Sequence, residues 1–488
     1  MSNKYTTLSR NMLFFTIGNF SSKFLMFFLV PIYTSVLTTS EYGLYDAIVT
    51  SILVLIPIAT ANISDAVMRF LISNKFDKKE ILIVGYKYAG IGILICAIFC
   101  ILNKIFVFVE FFDNFEIYAF AFASVMLMQE FCTQYAQALN RVSVIAICGV
   151  LGTVTVLSAN ILLLIVFNYG IKGFFIANIL GIAIPLLVYV YMLKPFAGFK
   201  ISDIFKIFSI SKEQHIAKLE KDMLAFSVPL IFTAVGWIVN SSLDKYCVIY
   251  FLGVQVSGLI AVAYKIPTIL STVYALFTKA WQISALLEYE KAGYKEFYTK
   301  TFIYVNAIGS ICMAVLLLLN KQISGFLYAK DFYVAWQFVP FLLIGALFNN
   351  TAGFFGPLLN AKNNSKAMAK SAIYGTIVNF LFNITLIPLL GAVGAVIATG
   401  LGSFVIFITR WCYARELINP QGYTKVIISW LLLLVAAILA YYDINYTFQL
   451  SVAFMLLLVN IKEMMTLSNK IFAKMLSSLG KVKKIFHI

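Results

Sequence analysis

Residues 170–193 read GIKGFFIANILGIAIPLLVYVYML, a run of 24 residues with one charged side chain, Lys172. A helix of that length rises about 36 Å, enough to cross roughly 30 Å of hydrocarbon. A transmembrane strand is excluded, because it would be near ten residues long with alternating polarity. The first half of the run returns later in the chain. Gly170, Gly173, Ile176, Ala177, Leu180 and Gly181 match Gly391, Gly394, Ile397, Ala398, Leu401 and Gly402 at a constant offset of 221. Leu139 and Asn140 match Leu359 and Asn360 at nearly the same offset. Met12, Leu13 and Phe15 echo Met223, Leu224 and Phe226, and Leu37, Gly43 and Leu44 echo Leu252, Gly258 and Leu259. Small-residue patterns recur by chance where helices pack closely, but several matches in the same order predict a duplicated chain.

Apolar runs of this kind extend over most of the 488 residues, of which 61% are hydrophobic and 12% charged. Soluble proteins hold roughly 45–50% and about 25%, so the composition predicts an all-α polytopic membrane protein. The runs place about fourteen spans near 11–37, 43–66, 81–102, 115–139, 142–167, 171–193, 223–250, 257–287, 299–319, 334–359, 367–388, 392–409, 426–441 and 446–461. Six spans in each repeat make the duplication parallel, which predicts an N-terminal lobe over 1–194, a cytoplasmic amphipathic linker over 195–222 and a C-terminal lobe over 223–415. Two added spans over 416–466 and a basic tail over 467–488 complete the chain. The polar start, Met1–Arg10, and a first apolar run longer than the core of a signal peptide predict that the first span is retained.

The net charge of +16 follows from topology. Counting residues at span edges with the adjacent connection, 28 of the 37 Lys and Arg fall on the side that holds both termini, 4 on the other and 5 within spans. The positive-inside rule then predicts cytoplasmic termini and removes the main support for a nucleic-acid partner. The seven cysteines lie in spans or at their ends without a CxxC pair, and His215 and His487 stand apart without clustered acids, so no metal site is expected. The 195–222 connection and the tail mix aromatics with lysines and read as interfacial helices on an anionic leaflet.

Charges inside spans are costly unless they face water or one another. In the eighth span Lys265, Thr268, Thr272, Lys279 and Gln282 share one helical face, and Glu130, Gln134, Gln137 and Arg141 do so in the fourth. Thr16, Asn19 and Lys23 form a shorter stripe in the first, while Asn62, Asp65 and Arg69 repeat the spacing in the second and Asn240 and Asp244 in the seventh. Asp65 and Arg69 are spaced to pair locally, Lys245 either to pair with Asp244 or to snorkel outward, and Lys87 to snorkel. Lys23 and Lys265 lie well inside their spans without an adjacent acid. A cavity lined by cations, amides and hydroxyls suits an anion bearing many hydroxyls, and a phosphate-bearing glycolipid meets both demands.

In span count, duplication and charge placement the chain resembles the polysaccharide flippase family (Wzx type) of the multidrug, oligosaccharidyl-lipid and polysaccharide exporter superfamily. The residues that carry the resemblance are Leu37 with Ser40, Glu41, Tyr42, Gly43, Leu44 and Tyr45, then Asp65 through Phe70, then Gly258 with Ala263, Tyr264, Lys265, Ile266 and Pro267, and the glycine-rich entries at 170 and 391. Ser40 stands where the family often has proline. The resemblance implies a MATE-like fold, two six-helix lobes around a cavity that opens alternately to each side. It also implies transfer of polyprenyl-diphosphate-linked oligosaccharide from the inner to the outer leaflet of a bacterial cell membrane, for capsule, O-antigen or related polymers. In that frame Lys23 and Lys265 contact phosphate, Asn19, Thr268, Thr272, Gln282, Gln134 and Gln137 line the path, and Arg69, Arg141 and Lys279 draw substrate in. Asp46, Asp65, Glu130 and Asp244 are the candidates for a coupling proton or sodium ion, membrane potential being the other energy source. No cofactor is implied, and a polysaccharide polymerase and other assembly proteins are the expected partners besides membrane lipids. An ion-coupled multidrug exporter of the same fold is the alternative; its cavity would be rich in acids and aromatics. A membrane glycosyltransferase or polymerase would need catalytic groups in a larger outer loop than the sequence provides.

Overall fold

The computed structural model describes the backbone of residues 27–73, 75–194, 214–289, 291–362, 364–419 and 423–485. These form α1 (Phe27–Val36), α2 (Thr39–Ala59), α3 (Ile63–Ser73), α4 (Lys78–Phe106), α5 (Glu116–Ala138), α6 (Val142–Asn160) and α7 (Gly170–Leu193). There follow α8 (Gln214–Leu252), α9 (Val254–Ala263), α10 (Lys265–Glu288), α11 (Tyr294–Leu318) and α12 (Asn320–Leu327). The last are α13 (Val339–Ala361), α14 (Ser365–Leu390), α15 (Ala392–Ala414), α16 (Tyr423–Tyr441) and α17 (Tyr446–Ile485). Among the described residues there is no strand. Among these residues ten helical stretches are long and apolar enough to span a membrane, or eleven if α9 and α10, bent by 42°, are one span. The chain is a multi-pass helical membrane protein. Most of the expected first span lies outside the described residues.

The chain forms two compact units, Met1–Leu259 with Leu327–Phe332, and Ile260–Phe326 with Tyr333–Ile488. In the first, α2 opens with a reciprocal cap: the Glu41 amide donates to the Thr38 hydroxyl, and the Thr38 amide donates to the Glu41 carboxylate. One turn on, Gly43 meets Gly258 of α9. A Cβ on Gly43 would stand 2.1 Å from the Val254 carbonyl oxygen, and one on Gly258 would stand 2.1 Å from that of Thr39. The two glycines occupy matching places in the repeat, so the contact is reciprocal.

Two expectations need correction in this unit. The second span does not run unbroken to residue 66. Ala61 and Asn62 both take left-handed backbone angles, ending α2 and starting the separate helix α3; asparagine tolerates that region and the apolar pattern does not betray it. The described part of the 195–222 connection continues directly into the next helix. Residues 214–222 are the first turns of α8, whose 39 residues rise about 58 Å. Its Ile216, Leu219 and Met223 are buried with Ile63, Ala66, Val67, Ile81 and Tyr135. Lys87, expected to snorkel, instead donates to Glu220 at 2.8 Å, and Tyr88 donates to the same carboxylate at 2.7 Å. Because α8 packs on α2, α3 and α4, the compact unit extends past the repeat boundary expected at residue 223.

The repeat is visible in how helices cross inside each unit. In the first, a Cβ on Gly152 of α6 would stand 2.8 Å from the Gly181 carbonyl of α7; in the second, one on Gly375 of α14 would stand 2.9 Å from the Gly402 carbonyl of α15. The glycines that open the matched segments, Gly170 and Gly391, both have positive φ, 52° and 60°. A buried asparagine lies eight residues beyond the first glycine of each crossing, Asn160 and Asn383, each donating to the carbonyl four residues back. Five cysteines are buried, while Cys312 and Cys412 are exposed on apolar helices.

Candidate functional site

In the second unit the polar stripe of the eighth span lies wholly on α10, with Lys265 its first residue and Pro267 in the first turn, where proline is tolerated. Thr268, Lys279 and Gln282 are exposed, Lys265 is half-buried and Thr272 is buried at the stripe's edge. Each threonine hydroxyl donates to the carbonyl four residues earlier, Thr268 to Tyr264 at 2.7 Å and Thr272 to Thr268 at 2.8 Å. With its proton committed to Tyr264, the exposed Thr268 hydroxyl is left with acceptor capacity only. The opposite side of α10 is pinned to α13. Trp281 stacks on Phe354 at 4.7 Å between ring centres and donates its indole N–H to the Phe354 carbonyl at 3.0 Å, with Phe277 stacked alongside. This aromatic stack fixes the rotation of α10, and with it the side on which the lysines emerge.

In the first unit, sequence-distant polar groups meet on α3 and α5. Asp65 accepts from Asn62 and from Gln134, both at 2.8 Å, and Glu130 lies within electrostatic reach of Asp65. Arg69 does not pair with Asp65; its guanidinium lies 4.0 Å from the centre of the Phe226 ring on α8. Asp65, Met68, Arg69, Ile72, Phe226 and Leu230 line a pocket of about 430 Å³, whose walls are apolar apart from one acid and one cation. Gln137 is exposed near the end of α5, and Arg141 is exposed between α5 and α6. Lys23 and Asn19 lie outside the described residues.

Asp46 and Lys245 are joined across α2 and α8 by an ion pair of 2.7 Å, with Lys245 also donating to Thr50 at 3.3 Å. Lys245 thus neither pairs with its neighbour Asp244, which is buried on α8, nor snorkels. Both partners keep only about a fifth of their side-chain surface exposed. Removing either charge is expected to destabilise the purified protein by about 1–3 kcal/mol. The exchange Asp46→Lys with Lys245→Asp should recover more than half of the combined loss in thermal unfolding; strictly additive losses would show that the pair contributes nothing as a pair.

A family model described as polysaccharide biosynthesis protein matches residues 8–282, more than half of the chain. The chain belongs to the polysaccharide biosynthesis protein family. An uncharacterized membrane protein of Methanocaldococcus jannaschii is 26% identical to this family member over 291 residues, covering 57% of this chain and 55% of the relative, so the chain spans about half the length of the curated relative it matches. Among solved structures, the lipid II flippase MurJ in an inward closed conformation matches with a TM-score of 0.68 at 15% identity, over 93% of this chain and 100% of that one. An inward-facing multidrug resistance MATE family transporter matches with a TM-score of 0.57 at 14% identity, over 82% and 97%. The fold of this polysaccharide biosynthesis family member is therefore that of MurJ and MATE transporters, and the family resemblance seen in the sequence holds.

Two of the residues that carried the resemblance have structural roles in this member of the family: Glu41 caps α2, and Gly43 admits the backbone of α9. Three polar residues near the α10 stripe escaped the sequence reading. Ser271 of α10 accepts from the side-chain amide of Asn350 on α13 at 3.3 Å, and Asn349 beside it is exposed. A polar pair in an apolar run signals cost in a membrane, but not which side of the helix is open. Arg410 of α15 is held by the Ser371 hydroxyl at 3.0 Å and the Ala352 carbonyl at 3.1 Å, which suits a cation fixing three helices.

Proposed function

We propose that this protein carries polyprenyl-diphosphate-linked oligosaccharide from the inner to the outer leaflet of a bacterial cytoplasmic membrane by alternating access. Its termini lie on the cytoplasmic side, and its cargo feeds capsule, O-antigen or a related surface polymer. The observation that supports this reading is the α10 stripe: cations, a hydroxyl acceptor and an amide emerge along one side of a membrane helix whose other side is locked by Trp281 and Phe354. Cations, a hydroxyl and an amide along one side of a helix suit a ligand that is both anionic and rich in hydroxyls, and a diphosphate carrying sugars is both. Lys265 meets the diphosphate, as does Lys23. Lys279 and Gln282 hold the headgroup on the cytoplasmic half. Arg69, at the rim of its pocket and backed by Phe226, and Arg141 attract the anion as it approaches.

The acids have separate tasks in this reading. Asp46 is engaged by Lys245, whereas Asp65 and Glu130 sit together with Gln134, and that group, with Asp244, offers the positions for a coupling proton or sodium ion. A polymerase that joins the delivered units is the partner the chemistry calls for. The test is reconstitution into vesicles containing a fluorescent polyprenyl-diphosphate disaccharide, with a membrane-impermeant quencher reporting how much lipid has changed leaflet. The reading expects protein-dependent transfer well above that of protein-free vesicles. Equal transfer with and without protein would overturn it, and transfer of lipophilic cations instead would favour the exporter alternative.

A further inference from the structure

We propose that Asn349 and Asn350 of α13, with Ser271 of α10, form the subsite that grips the sugar portion of the cargo, separate from the lysines that meet its phosphates; this rests on the function proposed above. Of the spanning helices among the described residues α13 is the most enclosed, with 83% of its apolar stretch buried. The residues of its middle that escape burial are Ala346, Asn349, Asn350 and Gly353, spaced to lie on one side of the helix. Asn349 and Asn350 fall at the midpoint of a helix that runs from Val339 to Ala361. Two primary amides at that depth would cost several kcal/mol against hydrocarbon, so this side meets water or a polar ligand.

The surroundings suit a sugar. Ala346 has only a methyl group, and a Cβ on Gly353 would meet nothing within 4 Å, so the amides rise from a low floor against which a ring can lie. The Asn350 amide is oriented by Ser271 at 3.3 Å, while Asn349 is exposed. Asn349 thereby offers a carbonyl acceptor and two N–H donors, the combination that matches vicinal hydroxyls or an N-acetyl group. Ser271 lies six residues, a little under two turns, from Lys265 on the same helix, about 9 Å along the axis, a separation on the scale of a diphosphate and its first sugar. The anchoring of α10 to α13 through Trp281 and Phe354 holds the two helices in register.

The experiment uses the full chain in vesicles with the fluorescent polyprenyl-diphosphate disaccharide, and unlabelled polyprenyl diphosphate without sugar as competitor. Asn349→Leu is expected to slow transfer about tenfold while leaving inhibition by the sugar-free competitor unchanged. Asn350→Leu should do the same more weakly, and Asn349→Gln should recover part of the rate. Lys265→Ala should weaken the competitor as well. Full transfer by Asn349→Leu, or equal loss of transfer and of competition, would overturn the subsite while leaving the flippase reading standing. Absence of transfer by the unaltered protein would overturn both. Unfolding temperatures of the purified variants, expected within a few degrees of the parent, separate loss of a contact from loss of the fold.

Discussion

Lys265→Ala is expected to slow leaflet transfer of the labelled lipid roughly ten- to hundredfold, and Lys265→Glu to stop it, with membrane insertion unchanged in both. A charge-assisted hydrogen bond to phosphate contributes about 1.5–3 kcal/mol, which sets the first figure. Glutamate adds repulsion: two like charges 4 Å apart at an effective dielectric of about 20 oppose each other by about 4 kcal/mol. Together these exceed a thousandfold. Lys265 is well placed to show so large an effect without unfolding, since it is half-buried, opens α10, and lies four turns from the Trp281 anchor. Lys265→Arg should keep most of the rate, because the charge is retained and a guanidinium binds phosphate through two donors. Transfer by Lys265→Glu at the parental rate would remove this residue from the path of the headgroup.

The sequence carried the membrane class, the duplication and the α10 stripe, because each is written in periodic or repeated residue types. The interruptions were hidden. Nothing in the apolar run before Asn62 announces that two successive residues turn left-handed, nor does the run through Tyr264 announce a bend of 42°. Partners from distant parts of the chain were equally hidden. Asp46 and Lys245 lie about 200 residues apart in the chain, and Lys87 and Glu220 more than 130, and local spacing offered each lysine a wrong alternative: a neighbour to pair with or a leaflet surface to reach. Asn349 and Asn350 went unremarked for a related reason. Their meaning depends on which quarter of a mostly enclosed helix is open, and only the packed neighbours decide that.

The glycine crossing makes the strongest prediction for stability. Gly258→Ala places a methyl carbon 2.1 Å from the Thr39 carbonyl oxygen, and Gly43→Ala does the same against Val254, where real contacts begin above 3.0 Å. The obstruction is backbone on both sides, so no side-chain rotation relieves it and α2 and α9 must part by about 1 Å, giving up dispersion contacts along the whole crossing. Each substitution is therefore expected to cost about 3 kcal/mol or more, at the upper end for overpacking. Gly90→Ala on α4, where an added Cβ meets nothing within 4 Å, should instead be neutral or slightly stabilising. The reciprocity of the contact adds a sharper expectation. Because one separation of the helices relieves both clashes, the double substitution should cost less than the sum of the two singles in thermal unfolding of the purified protein. Additive losses would mean that Gly43 and Gly258 are crowded independently, and unchanged unfolding in Gly258→Ala would mean that the two helices do not cross at these glycines.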